Sequence, residues 1–195
     1  MPTTKKPIIE LDELLASEFD YIAETASQAN EDRARISSFY LVAVGSLVAA
    51  LLSTQLFDDG KFTQPVKFMF SGLFVLLTLL GTSRIVQLGR LRGAWYESML
   101  AMNQIKDFAI KQSPELNEAF RWKTKTLPKK FKKNSVSYFQ ASEVSLISGL
   151  VFGVAMFFLI LALFPTVGIL HWVVAVPAGI AMVFVQLAVY KWSLK

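Results

Sequence analysis

The feature that most constrains this chain is an uncharged stretch close to its carboxyl end. Between Glu143 and Lys191 there is no Asp, Glu, Lys or Arg. A bilayer core about 30 Å thick is crossed by roughly 20 apolar residues in a helix, so the stretch is too long for one span and fits two. Pro165 and Gly168 lie near its middle, and both residue types favour a tight reversal. The stretch therefore predicts a membrane hairpin.

Two shorter uncharged runs come earlier in the chain. The first covers residues 36–57, and the second covers residues 68–83 with Lys67 and Arg84 at its ends. Because long basic side chains can extend to the headgroups from the end of a span, the second run also qualifies. We predict an all-α, polytopic membrane protein with four transmembrane helices and a cytoplasmic helical layer.

The distribution of basic residues predicts the orientation. Residues 84–133 contain twelve Lys and Arg, whereas the turn at Pro165 contains none. Cytoplasmic loops are enriched in Lys and Arg, so we expect the connector and both termini on the cytoplasmic side of the inner membrane. Arg33 and Arg35, just before the first run, are interpreted as anchors of the same kind, and residues 58–67 as an outer loop.

These considerations divide the chain into four parts. They are an amino-terminal cytoplasmic amphipathic helix (residues 1–35), a first transmembrane hairpin (36–88), cytoplasmic helices with a basic loop (89–140) and a second transmembrane hairpin (141–195).

Two polar segments each carry a seam of apolar residues at helical spacing. The first seam is Ile8, Leu11, Leu15, Phe19, Ile22, Ala26 and Ala29, and the second is Leu88, Leu91, Trp95, Met99, Met102, Ile105 and Ala109. Steps of three and four residues are typical of an amphipathic helix. We expect the two helices to run antiparallel beneath the membrane and to bury their seams on each other, or on copies in neighbouring subunits.

The densest basic cluster lies in residues 123–133. Its core is Lys129, Lys130, Phe131, Lys132 and Lys133. Basic residues close to a cytoplasmic leaflet are attracted by anionic headgroups, so we predict that these five contact lipid or a soluble cytoplasmic partner. Phosphate or nucleotide sensing is an alternative. Nucleic acid is not an expected partner, because Trp122 and Phe131 alone make a poor platform for base stacking.

Small residues recur at four-residue spacing in the spans. In lipid, such faces allow close approach of helices. We predict an oligomer interface that contains Gly45, Ala49, Ser145, Gly149 and Gly153. The alternative is that these faces, with Ala175 and Gly179 in the last span, only pack the four helices of one monomer.

Several classes of chemistry are disfavoured by composition. The chain has no Cys and a single His, which excludes disulfides, thiolate metal sites and multi-histidine sites. We expect no cofactor, no metal and no enzymatic activity. No ionisable residue lies near the centre of a span, which disfavours a charge-coupled transporter.

His171 beside Trp172 is interpreted as an interfacial anchor, Glu143 as a first-turn acid and Gln186 as an interfacial polar group.

The order of elements resembles a known group of proteins. Residues 31–35 (Glu-Asp-Arg-Ala-Arg), residues 39–41 (Phe-Tyr-Leu) and residues 90–96 (Arg-Leu-Arg-Gly-Ala-Trp-Tyr) frame a short membrane hairpin. Over residues 8–112 this layout is similar to the SLATT-type two-transmembrane effectors of prokaryotic conflict systems. The resemblance implies a protein that oligomerises and breaches the cytoplasmic membrane when a partner sensor detects invasion. The hairpin at residues 144–190 is an addition to that pattern, and no sensor domain is recognisable.

The resulting functional hypothesis is a homo-oligomeric effector or channel-like protein of the cytoplasmic membrane, of the kind used in anti-phage defence. Its cytoplasmic helices would be gated by a partner or ligand. The alternative is a non-conducting membrane anchor that recruits a soluble partner protein.

Overall fold

The chain folds into helices that form one bundle with a long polar extension. The computed structural model describes residues 11–53 and 62–194, and the described part contains no strand. The helices are α1 (Leu11–Ser53), α2 (Gln64–Gln112), α3 (Leu116–Ala119), α4 (Val136–Leu163) and α5 (Ile169–Ser193), with a 3₁₀ turn at Thr124–Thr126 between α3 and α4.

Four of these helices, α1, α2, α4 and α5, are long and apolar enough to cross a membrane. This confirms the prediction of an all-α protein with four such helices. The orientation relative to a membrane stays a prediction. Residues 58–61 of the expected outer loop lie outside the described residues, as does Ile8 of the first seam, and residues 64–67 of that loop belong to α2.

Local sequence signals explain where the later helices begin and end. The Ser135 side chain accepts a hydrogen bond from the Tyr138 backbone N–H at 3.2 Å and so caps α4, which satisfies one donor of its first turn. The reversal predicted around Pro165 is confirmed, because α4 ends at Leu163 and α5 begins at Ile169. Glu143 lies two turns inside α4 and not in its first turn, so that prediction was wrong.

Helices α2 and α4 each contact the other three long helices of the bundle. Phenyl rings fill the end of the bundle near the α4–α5 turn: the centroid of the Phe158 ring lies 5.4 Å from that of Phe70 and 5.8 Å from that of Phe74. Both Phe70 and Phe74 are buried. Aromatic pairs at such distances pack favourably, so this end of the bundle is closed by side chains.

Beyond the bundle, α1 and α2 continue together as a two-helix rod, which we define as residues 11–35 and 89–112. Ile22, Ala26 and Met102 are buried in its seam, and Phe19, Trp95, Met99 and Ile105 pack against them. The two predicted seams therefore bury each other within one chain. Pairing of the seams with copies in neighbouring subunits stays a prediction.

The apolar helices expose large side chains around the outside of the bundle. Leu79, Leu150, Val173 and Phe184 are each more than half exposed. An apolar exterior of this kind is unfavourable in water and is compatible with a lipid environment.

Candidate functional site

A buried polar layer joins the four long helices inside the bundle. Gln186 of α5 is fully buried, and its Nε2 donates to Ser148 Oγ of α4 at 2.7 Å and to Thr82 Oγ1 of α2 at 2.9 Å. The Tyr40 hydroxyl of α1 donates to the Leu77 carbonyl at 3.5 Å. Hydrogen bonds between helices help to fix helix positions in an apolar medium.

The prediction that Gln186 is an interfacial polar group was wrong. Its Oε1 is buried and has no hydrogen-bond partner among the residues described. A sequence signal for this position does exist: His171, Ala175, Gly179, Gln186 and Tyr190 share one face of α5, and all five are buried. Small and polar residues at helical spacing within an apolar helix indicate the face that packs against protein.

His171 is another residue whose role differs from the expectation. It is buried and not an exposed interfacial anchor. Its Nδ1 accepts from the Gly168 backbone N–H at 3.2 Å, and its Nε2 lies 3.2 Å from the Phe164 carbonyl, to which the Nε2-protonated tautomer donates. The imidazole thus connects both sides of the α4–α5 turn and satisfies backbone groups that the turn leaves free.

Two arginines lie buried where the bundle meets the rod. Arg33 of α1 and Arg92 of α2 each expose only 7% of their surface. Both lie outside the uncharged runs. Burial, and then repulsion from Arg92, lower the pKa of Arg33, and burial lowers the pKa of Arg92. Neither side chain forms an ion pair with an acid in the described ranges, so no described carboxylate neutralises the two charges.

Neutral groups surround the two arginines. Arg92 Nε donates to the Lys130 carbonyl at 3.3 Å, and its guanidinium lies 4.2 Å from the centroid of the Trp95 ring. Arg33 donates to Asn30 Oδ1. Tyr190 is close enough to interact electrostatically with both arginines, and its hydroxyl lies 2.9 Å from that of Ser137. We call Arg33, Arg92 and Tyr190 the junction cluster.

The five residues of the predicted basic contact divide into two groups. Lys129, Lys132 and Lys133 are exposed, as a surface contact requires. Lys130 and Phe131 are partly buried: the Lys130 amine lies 3.7 Å from a Glu97 carboxylate oxygen, and the Phe131 ring packs edge-on against Tyr138. The loop is thus attached to the base of the bundle through these two residues. Its proposed lipid or partner contact stays a prediction.

The small residues of the predicted oligomer interface also fall into two groups, one packed within the chain and one exposed. A Cβ atom on Gly149 would lie 2.7 Å from the Gly179 carbonyl, and one on Gly153 would lie 3.0 Å from the Ala175 carbonyl. These two glycines therefore let α4 and α5 of one chain approach closely. Ser145 is buried and donates to the Ala141 carbonyl at 2.8 Å.

Gly45 and Ala49 have the opposite environment. Both are exposed, and a Cβ atom on Gly45 would meet nothing within 4 Å. Among the described residues, neither takes part in the packing of one chain. The subunit interface stays a prediction, and these two residues are the members of the predicted set that are free to form it.

Two grooves lie outside this core. One, of about 610 Å³, runs between α4 and α5 over Gly149 and Gly153 and is almost entirely apolar. The other, of about 600 Å³, lies at the end of the rod that is far from the bundle. It is lined by α1, α2, α3 and Phe120. Its walls combine Phe19, Phe108 and Phe120 with the carboxylates Asp12 and Asp20 and with Lys106, whose amine lies over the Phe19 and Phe120 rings.

Within the described ranges, no group of three or more His, Cys, Asp or Glu side chains is arranged to hold a metal ion. Comparisons with protein-family models, with curated proteins and with solved structures find no match to this chain.

Proposed function

We propose that this protein is a homo-oligomeric, channel-like effector of the cytoplasmic membrane, gated through its two-helix rod. One observation carries the proposal: α1 and α2 run without interruption from the polar rod into the apolar bundle, over 43 and 49 residues. Because each helix is continuous, a partner that shifts α1 against α2 in the rod also shifts the two spans against each other.

The conducting path is proposed to form between subunits. Phe70, Phe74 and Phe158 fill one end of each bundle, which disfavours a pore through a single chain. The exposed Gly45 and Ala49 face of α1 offers a surface on which a second copy can pack closely. The resemblance of residues 8–112 to SLATT-type effectors supports the same assignment, with the trigger supplied by a separate sensor.

Dye leakage from liposomes tests this proposal. The purified protein is reconstituted with a self-quenching dye and assayed with and without the products of neighbouring genes. Leakage under at least one condition is expected. Because the native chain has no Cys, the pair Ile22→Cys and Met102→Cys, both in the buried seam, can be oxidised to lock the rod. Locking is expected to abolish leakage, and reduction is expected to restore it.

The matched controls are the two single-cysteine variants, which should leak equally under oxidising and reducing conditions. Leakage that continues in the locked protein contradicts gating through the rod. Absence of leakage under every condition contradicts the channel proposal as a whole.

The second candidate is a non-conducting anchor, and the groove at the distal end of the rod favours it. Three phenylalanine rings, two carboxylates and the Lys106 amine there suit a soluble partner that presents apolar residues beside charged ones. Under this proposal a neighbouring gene product co-purifies with the protein, no leakage occurs, and Phe108→Asp abolishes the co-purification.

A further inference from the structure

The junction cluster contains two positive charges in a place where proteins rarely leave them unneutralised. Arg33 and Arg92 are more than nine-tenths buried, and no carboxylate among the described residues lies within ion-pair distance of either. Two buried like charges without an anion are unfavourable. The arrangement becomes favourable when an anion binds between them.

Unpartnered polar atoms accompany these charges. Arg33 Nε is buried without a hydrogen-bond partner in the described part of the chain, and so is the hydroxyl of Ser37. Ser37 follows Arg33 by one helical turn on the same face of α1, so both polar groups lie on the side of α1 that faces the bundle. Buried donors of this kind normally have acceptors.

Two neighbouring arginines are exposed, as residues that anchor a helix at a membrane surface normally are. Arg35 and Arg90 lie two positions from the buried pair, and both are exposed. They meet the need for basic residues near a headgroup layer without any burial cost. Arg33 and Arg92 must therefore serve some purpose other than nonspecific attraction to a membrane surface.

The position along the helices identifies the class of anion. Arg33 precedes the uncharged run that begins at Ile36, and Tyr190 is the last residue of the uncharged run that ends before Lys191. When the uncharged runs cross a bilayer, we expect both of these ends at the depth of the lipid phosphates. Planar guanidinium groups bind phosphate oxygens in pairs.

We propose that Arg33 and Arg92, with the Tyr190 hydroxyl beside them, form a site for a single phosphate group. The phosphate is that of an anionic lipid headgroup or of a free phosphorylated ligand. The bound anion neutralises the two arginines and joins α1 to α2 and α5 at the level where the rod begins. This site is independent of whether the protein conducts.

Binding to the full-length protein in mild detergent tests the site. Native mass spectrometry measures adducts after delipidation and addition of phosphatidic acid, phosphatidylglycerol or phosphatidylcholine. Thermal unfolding is followed by tryptophan fluorescence with the same lipids and with inorganic phosphate. We expect an anionic lipid to form the stronger adduct and to raise the Tm by about 5 °C or more at saturation, while phosphatidylcholine does neither.

Variants in which one arginine is replaced by neutral glutamine identify the residues responsible for the rise in Tm. Arg33→Gln and Arg92→Gln should lose the lipid-specific rise in Tm, whereas the matched variants Arg35→Gln and Arg90→Gln should keep it. A rise caused by inorganic phosphate alone, lost in the same two variants, identifies a free phosphorylated ligand as the source. Equal adducts with anionic and zwitterionic lipid in the wild-type protein, together with no effect of phosphate, overturn the proposal even if the glutamine variants fail to fold. Loss of the effect in Arg35→Gln and Arg90→Gln as well also overturns it.

Discussion

At the scale of single residues, the polar groups inside the bundle are the least expected feature. Gln186 donates two hydrogen bonds to hydroxyl groups on other helices, but its carbonyl oxygen has no partner among the described residues. The hydroxyl groups of Thr82 and Ser148 keep backbone carbonyls as acceptors when Gln186 is removed. The side chain therefore contributes to the position of α5 more than to the free energy of unfolding.

Gln186→Leu and Gln186→Glu should separate these contributions. The leucine loses two hydrogen bonds and also removes the unpartnered oxygen, so we expect a change within about 1 kcal/mol. The glutamate places a carboxylate in the apolar bundle, and a loss of about 3 kcal/mol is expected at neutral pH. At a pH low enough to protonate this carboxyl, the side chain is neutral, and the loss of unfolding free energy should be smaller.

The free energy of unfolding in mixed detergent and SDS micelles, at pH 4.5 and 7.5, measures both effects. Gln104→Leu, on the exposed surface of the rod, is the control and should behave as the wild type at both values. If the glutamate variant is as stable as the leucine variant at pH 7.5, water reaches the buried polar layer around Gln186, and the prediction is wrong.

His171 allows a second prediction at this scale. His171→Ala removes both ring contacts to the turn between α4 and α5, so we expect a loss of about 1 to 3 kcal/mol. His171→Asn keeps an acceptor near the Gly168 N–H and should lose less. Thermal unfolding gives the order, and Leu170→Ala, an exposed neighbour, should change little. An alanine variant as stable as the asparagine variant contradicts the assignment of Nδ1 as acceptor.

At the scale of helices, the positions of the elements could be predicted from sequence because charges mark the ends of the apolar runs. Lys67, Arg84, Glu143 and Lys191 border spans that the structure confirms as parts of helices. The partner of each face could not be predicted in the same way. Periodicity identifies a buried face, but it does not say whether the same chain or a second copy covers it, as the rod seams and Gly149 both illustrate.

The glycine faces give the prediction that belongs to this scale. Gly149→Ala forces a methyl group against the Gly179 carbonyl, so we expect α4 and α5 to separate and the protein to lose about 1 to 3 kcal/mol. Gly45→Ala meets open space and should fold as the wild type does. Unfolding in SDS provides the comparison.

Assembly of the oligomer should depend on Gly45 and Ala49, whose substitution leaves the fold of one chain intact. Gly45→Leu and Ala49→Leu are expected to lower the oligomer mass in native mass spectrometry while the chain stays folded. Gly149→Leu is expected to unfold the hairpin, because a side chain there meets Gly179 and Val183, so it is not used to test subunit contacts. An unchanged oligomer in the double variant at positions 45 and 49 contradicts an interface on this face of α1.

At the scale of the whole molecule, the four apolar helices and the distribution of Lys and Arg together predict which parts face the cytoplasm. The described basic loop lies at one end of the bundle, and the turn around Pro165 lies at the other, because α4 connects them along its whole length. The two ends can be distinguished by labelling, because the native chain has no Cys.

Asn134→Cys and Thr166→Cys both place a thiol at an exposed position. In intact cells an impermeant maleimide should label only Thr166→Cys, and permeabilisation should make Asn134→Cys equally reactive. The cysteine-free wild type is the control for background. Labelling of Asn134→Cys from outside, with Thr166→Cys protected, would reverse the topology.

The unbroken course of α1 through the junction has a mechanical consequence. At 1.5 Å per residue, the 25 residues from 11 to 35 measure about 37 Å, and the 18 residues from 36 to 53 measure about 27 Å. If the junction acts as the fulcrum, α1 is a lever with arms in a ratio of about 1.4 to 1. A lateral displacement of 4 Å at the tip of the rod then swings the far end of the span by about 3 Å in the opposite direction.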